Sequence, residues 1–209
     1  MKKFAVGIAL AAFASVAYLS AQAPAQSGAS ATDGARFGAD GKLQRPADYR
    51  GEWVYLSSGL GMTYGPTQPG AGEARFFDNV FVNRQSYKQF MATGRWPDKT
   101  MFVLEIRGSE QKASINNGGA TQGTTVLGLE AAVKDTRFPD GWGYFDFGGG
   151  ESLRAETTAL PQTERCYGCH KANTAVENTF VQFYPTLMEV ARKMGTVKPT
   201  YDPNHKVTP

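Results

Sequence analysis

The chain has 209 residues, with 22 Lys and Arg against 19 Asp and Glu, and only two Cys and two His. So even a charge balance excludes a nucleic-acid-binding surface, and 41% hydrophobic with 12% aromatic residues excludes wholesale disorder. The 24 Gly and 11 Pro argue against a plain helical bundle, and two cysteines cannot build a disulfide framework.

Lys2 and Lys3 precede an apolar run over residues 4–19, and Ala21-Gln22-Ala23 offers small residues at signal-peptidase spacing. Residues 1–23 therefore read as an export signal, with cleavage after Ala21 competing with cleavage after Ala23, and with a retained membrane anchor as the alternative. Export implies a periplasmic location and no membrane contact after cleavage. Loss of Lys2 and Lys3 takes the 22 basic residues to 20 against 19 acidic ones, so the mature chain is close to neutral. Residues 24–35, rich in Ala, Ser, Gly and Gln, read as a flexible leader. A single domain is expected over 36–197, followed by a loose tail over 198–209.

Within the domain, residues 52–57 (EWVYLS), 76–82 (FFDNVFV), 100–107 (TMFVLEIR), 124–134 (TTVLGLEAAVK) and 142–147 (WGYFDF) are short, aromatic and β-branched, and turn-forming residues separate them. Five such runs predict an antiparallel sheet and an α+β, β-rich fold. Residues 83–93 read as a helix, with Asn83 as N-cap, Tyr87, Phe90 and Met91 on its apolar face, and Gly94 as its stop.

The chemistry concentrates in Cys166-Tyr167-Gly168-Cys169-His170, the covalent attachment motif of a c-type haem. Two thiols at this spacing add across the porphyrin vinyl groups, and the adjacent His comes under the iron as axial ligand. Export agrees, since such haems are attached outside the cytoplasm. A Cys-x-x-Cys redox disulfide would open a helix in a thioredoxin-like βαβ unit, which this pattern lacks. A zinc site would need a further ligand from His205 or carboxylates.

The last predicted helix covers residues 174–194, where Val176, Phe180, Phe183, Leu187, Ala191 and Met194 recur at spacings of three and four, with a kink or a break into two helices at Pro185. The iron's second axial position decides between functions. His205 lies in the Pro-rich tail, and Met188 and Met194 would lie roughly 27 and 36 Å beyond His170 along a continuous helix. Met62, Met91 and Met101 have no supporting pattern. The expectation is a five-coordinate iron that binds a small diatomic ligand such as nitric oxide or carbon monoxide. A six-coordinate electron-transfer cytochrome is an alternative.

The segments at 45–50 (RPADYR), 79–83 (NVFVN), 93–98 (TGRWPD), 128–135 (GLEAAVKD), 142–145 (WGYF) and 166–170, followed by 179–185 (TFVQFYP), resemble the cytochrome P-460 family, closest to its β-type cytochromes c-prime. The resemblance implies a homodimer in which each subunit packs an antiparallel sheet and helices around one five-coordinate c-type haem. It also implies a small periplasmic electron-transfer protein as a possible partner. The family's oxidising branch has a lysine joined to the porphyrin and converts hydroxylamine to nitrogen oxides, which gives an enzymatic alternative. Here the strand Thr100-Met101-Phe102-Val103-Leu104-Glu105 has Leu104 in the lysine's place. Lys88 and Lys99 would serve only if the register slipped.

If Leu104 faces the haem, strand alternation turns Phe102 the same way, and the two line an apolar pocket without a proton relay. Phe76 or Phe77 would add a second aromatic wall; each of these side chains is also compatible with ordinary sheet core. Arg75, Glu130 and Asp135 are the candidate distal polar groups. Glu130 lies in the apolar run 126–133, where a carboxyl needs a partner, a raised pKa or a place in solvent.

Overall fold

The computed structural model describes residues 33–62, 75–111 and 114–205. The signal peptide expected at 1–23, most of the leader and the last residues of the tail lie outside the described residues. In chain order the elements are β1 (Leu43–Gln44), α1 (Tyr49–Glu52), β2 (Val54–Leu60), β3 (Phe76–Val82), α2 (Arg84–Thr93), β4 (Met101–Glu110), β5 (Thr121–Lys134), β6 (Trp142–Asp146), β7 (Glu156–Thr157), α3 (Arg165–Asn173) and α4 (Pro185–Lys193). Strands β2 to β6 form one antiparallel sheet in sequence order, while β1 and β7 pair separately. This is the expected α+β, β-rich architecture.

Strand alternation gives the sheet two buried faces. Along β4, Met101, Val103 and Glu105 point one way and Phe102, Leu104 and Ile106 the other; along β5, Leu129, Ala131 and Val133 oppose Glu130 and Ala132. One core joins Phe102, Trp142 and Tyr144 to Phe90, Trp96, Leu187 and Ala191. Phe90 stacks on Trp96 at 4.0 Å between ring centroids, and Trp96 meets Phe102 edge-on at 4.8 Å. Burying a ring such as Phe90 stabilises the fold by about 1.5–3 kcal/mol. The opposite core packs Leu43, Tyr49 and Trp53 over Phe81, Val103, Leu129 and Phe145.

Helix α2 starts and stops where the sequence places it, with Asn83 at its N-cap position, but the Asn83 side chain makes no capping bond. The Asn83 side-chain oxygen accepts from the Met101 amide at 2.9 Å, which ties the helix to β4, and the Gln85 amide donates instead to Asp33 at 2.9 Å. Gly94 adopts φ 68°, and its amide donates to the Phe90 carbonyl at 2.7 Å, as a left-handed helix stop requires.

The helix expected over 174–194 requires correction. Only α4 is helical there, preceded by a 3-10 turn at Val181–Phe183. Side chains that compete for backbone partners hold residues 174–180 as a loop. Thr174 bonds the His170 and Glu177 carbonyls, Thr179 donates to Val176 O, and Gln182 bridges Asn173 O and the Ala175 amide. Glu177 sits at φ 50°, anchored by Lys134 at 2.7 Å. The apolar stripe is broken accordingly: Leu187 and Ala191 are core, whereas Phe183 and Met194 are exposed. Packing also continues past Val197, since the Lys198 amide donates to Ala175 O and Tyr201 rests on the core.

Candidate functional site

Helix α3 carries Cys166, Cys169 and His170 at positions i, i+3 and i+4, which places all three side chains on one helical face. That face looks onto the Phe102–Leu104 side of the sheet across a cavity of about 750 Å³, within the usual range for a small-molecule or cofactor site. Strands β2 to β6 form one wall. Helix α3, Asn178 to Phe180, Phe183 and Tyr184 form the other.

The His170 imidazole is oriented before any ligand arrives. Its Nδ1 bonds the Asn178 carbonyl at 2.9 Å, so with the proton on Nδ1 the Nε2 lone pair is free to bind a metal. Burial, aided by the charge of Lys198 and opposed by the Asn178 bond, pulls its pKa down to about 4, so the ring is neutral. Tyr144 and Phe180 pack on it at 4.4 and 4.6 Å. Cys166 and Cys169 are half-buried beside the cavity and are not joined in a disulfide, and burial is the main cause of the raised pKa of Cys166.

The donor set and the space fit a haem. Two thiols and one imidazole face a mainly apolar chamber, and the Tyr144 hydroxyl in its wall is buried with no hydrogen-bond partner among the described residues. Burial raises the Tyr144 pKa, so the hydroxyl is a standing donor. No group of three or more His, Cys, Asp or Glu among the described residues could hold a bare metal ion.

Of the residues singled out from sequence, Phe102, Leu104, Glu130, Cys166, Cys169 and His170 line this cavity together. The others do not. Asp135 is buried in an ion-pair cluster with Lys99 and Arg137, whose Nε lies 3.0 Å away, which gives it a structural role. Arg75 is exposed, with its side chain against Gly61. Phe76 lies near the open end of β3 and is exposed, and Phe77 pairs across the sheet with Arg107 and Leu60. Lys99 is engaged by Asp135 and Lys88 is exposed; among the described residues no lysine lines the cavity.

Asp78 was not singled out from sequence, and Met62 was named there only among methionines without a supporting pattern. Asp78 enters beside Ile106, two residues from Val80 on the same face of β3, a placement that alternation alone could have indicated. Burial raises its pKa. Met62 also lines the cavity, with its sulfur against Gly59 so closely that a Cβ there would come within 2.3 Å of it. The chamber is therefore less apolar than Phe102 and Leu104 imply. Glu130 is accessible from within the cavity yet enclosed by protein, and burial, together with the charges of Asp146 and Asp78, raises its pKa.

A comparison with curated proteins finds no match. A comparison with protein families matches the model described as Cytochrome P460 over residues 46–181, a span that includes every strand of the main sheet and all of α3. The chain belongs to the cytochrome P460 family, which implies a haem cofactor and agrees with the donors that α3 presents to the cavity.

Proposed function

We propose that this is an exported, periplasmic monohaem cytochrome in which Cys166 and Cys169 form the thioethers, His170 is the proximal ligand, and the opposite face binds nitric oxide or a related small neutral ligand. When bound, the haem would supply an iron able to take a small ligand. The observation that carries the reading is the far wall of the cavity, where Phe102, Leu104 and Ile106 line up on one face of β4 and His170 is the only imidazole among the described lining residues. Leu104 and Phe102 exclude water and admit a neutral diatomic at little desolvation cost. The Asn178 carbonyl holds the His170 ring in one tautomer and orientation. A second copy of the chain as dimer partner and a small periplasmic electron carrier complete the proposal.

The ferrous absorption spectrum, recorded with and without nitric oxide, tests it. A five-coordinate site gives a broad high-spin spectrum that changes when the gas is added. A sharp low-spin α band that responds to neither nitric oxide nor carbon monoxide would reject the reading.

A second reading, oxidation of hydroxylamine, is favoured by Glu130 and Asp78. Their carboxyls have raised pKa values at the cavity wall, so the pocket holds groups able to carry a proton, contrary to the expectation of an apolar chamber. Against it stands the absence of a lining lysine among the described residues. Turnover of hydroxylamine with an oxidant, abolished in E130Q, together with an intact mass showing no lysine cross-link, would establish this reading.

A further inference from the structure

The segment after α4 returns to the helix that carries the haem-binding residues. The Lys198 ammonium donates to the Lys171 carbonyl at 3.0 Å and to the Thr174 hydroxyl at 2.9 Å, and its own amide donates to Ala175 O at 2.8 Å. Thr174 in turn donates to the His170 carbonyl at 2.5 Å. These acceptors lie at the C-terminal end of α3, where carbonyls lack intrahelical partners and the helix dipole favours a cation. All the partners of the ammonium are neutral oxygens, and none of the ion pairs among the described residues includes Lys198.

We infer that Lys198 is a positioning residue for the proximal ligand, which clamps the end of α3 through Thr174 and Lys171, and that its uncompensated charge raises the haem reduction potential. This rests on the proposed role of His170. The reason is electrostatic. The oxidised iron centre carries one more positive charge than the reduced one, so a nearby cation in a partly buried place disfavours the oxidised form. The ammonium is partly buried against Thr174 at the end of α3, so solvent does not fully screen its field. The side chain is 24 residues from Thr174 in sequence, so no local motif announces it.

Spectroelectrochemical midpoint potentials of the holoprotein at fixed pH test the inference. K198Q, which keeps an N–H donor and loses the charge, should shift the potential downward, whereas K198R should stay at the wild-type value. K88Q, which removes the same charge from exposed surface, should change nothing, because salt and water screen it. An unchanged potential in K198Q, an equal drop in K198R, or an equal drop in K88Q would each overturn the inference. Should K198Q fail to load haem, T174V carries the test: freeing the ammonium from its hydroxyl should lower the potential, and an unchanged value overturns the clamp. A wild-type protein without a haem signal would defeat the proposed function itself. A normal wild-type holoprotein with an unchanged K198Q defeats only the role of Lys198.

Discussion

Two adjacent rungs of the sheet present the same pairing, a glutamate across from a leucine, to opposite faces, and the fold treats the two acids in opposite ways. Across β4 and β5, Leu104 pairs with Glu130 on the cavity face, and the adjacent rung pairs Glu105 with Leu129 on the other. Glu105 meets Tyr49 and Arg107, and Arg50 donates to it at 2.6 Å. Burial would raise its pKa, but these donors outweigh it and hold the carboxyl below its ordinary range. Glu130 instead faces Asp146 across β5 and β6 and feels Asp78 as well, so every named influence raises its pKa. A buried carboxylate surrounded by donors is part of the fold, whereas one surrounded by acids is held available for a proton. The difference separates a face whose acid is compensated from one whose acid is not, and perturbed, uncompensated groups cluster at functional sites.

The largest test breaks the compensated face. E105A should cost about 3–5 kcal/mol in urea unfolding at neutral pH, because Arg107 and Tyr49 lose a buried partner, with the half-exposed Arg50 contributing less. A loss below about 1 kcal/mol would mean that the cluster behaves like a surface pair.

Acid titration is the next. Glu105 has a lowered folded pKa, so its stabilisation is complete above the unfolded value of about 4.3 and disappears as pH falls through the folded value. Unfolding followed from pH 7 downward should therefore show wild type losing about 1–3 kcal/mol that E105Q has already lost. Parallel pH profiles would refute the assignment.

On the cavity face the sign reverses. Glu130 has a raised folded pKa, so its ionisation costs stability, a cost absent below about pH 4 and complete above the folded value. E130Q should be more stable than wild type at pH 8, by less than about 1 kcal/mol since the group is accessible from the cavity, and the gain should vanish near pH 4. A destabilised E130Q would show that Glu130 has a partner in the folded protein and is not held available.

The smallest expected effect is none. M62A should leave the ferrous spectrum unchanged, because the sulfur rests against Gly59. Conversion from a low-spin to a high-spin spectrum would show Met62 to be an axial ligand and favour an electron carrier.

Much of this was legible because it is local. Short aromatic and β-branched runs between turn-forming residues identified the five strands of the sheet, and β3 agrees residue for residue with the predicted run. Alternation also put Phe102 and Leu104 on one face, where the cavity lies. Periodicity failed at 174–180, where Thr174, Thr179 and Gln182 bond the backbone and no helix forms, although Val176 and Phe180 keep helical spacing. Asp135 and Glu130 looked alike as acids near an apolar run. Only the pairing of Asp135 with Lys99 and Arg137 separates them.

The amino-acid order alone brings Cys166, Cys169 and His170 within five residues of one another, but their shared face comes from α3, a helix that the sequence did not announce. The order does settle which strand residues share a face, since neighbouring side chains must point oppositely. The electrostatic character of each face depends on residues far apart in the chain. Arg50 reaches Glu105 across 55 positions, Asp78 and Asp146 approach Glu130 from two other strands, and Lys198 closes on Thr174 across 24. Charges act through space and not along the chain, so the distinction between a compensated acid and an available one appears only when the sheet is assembled.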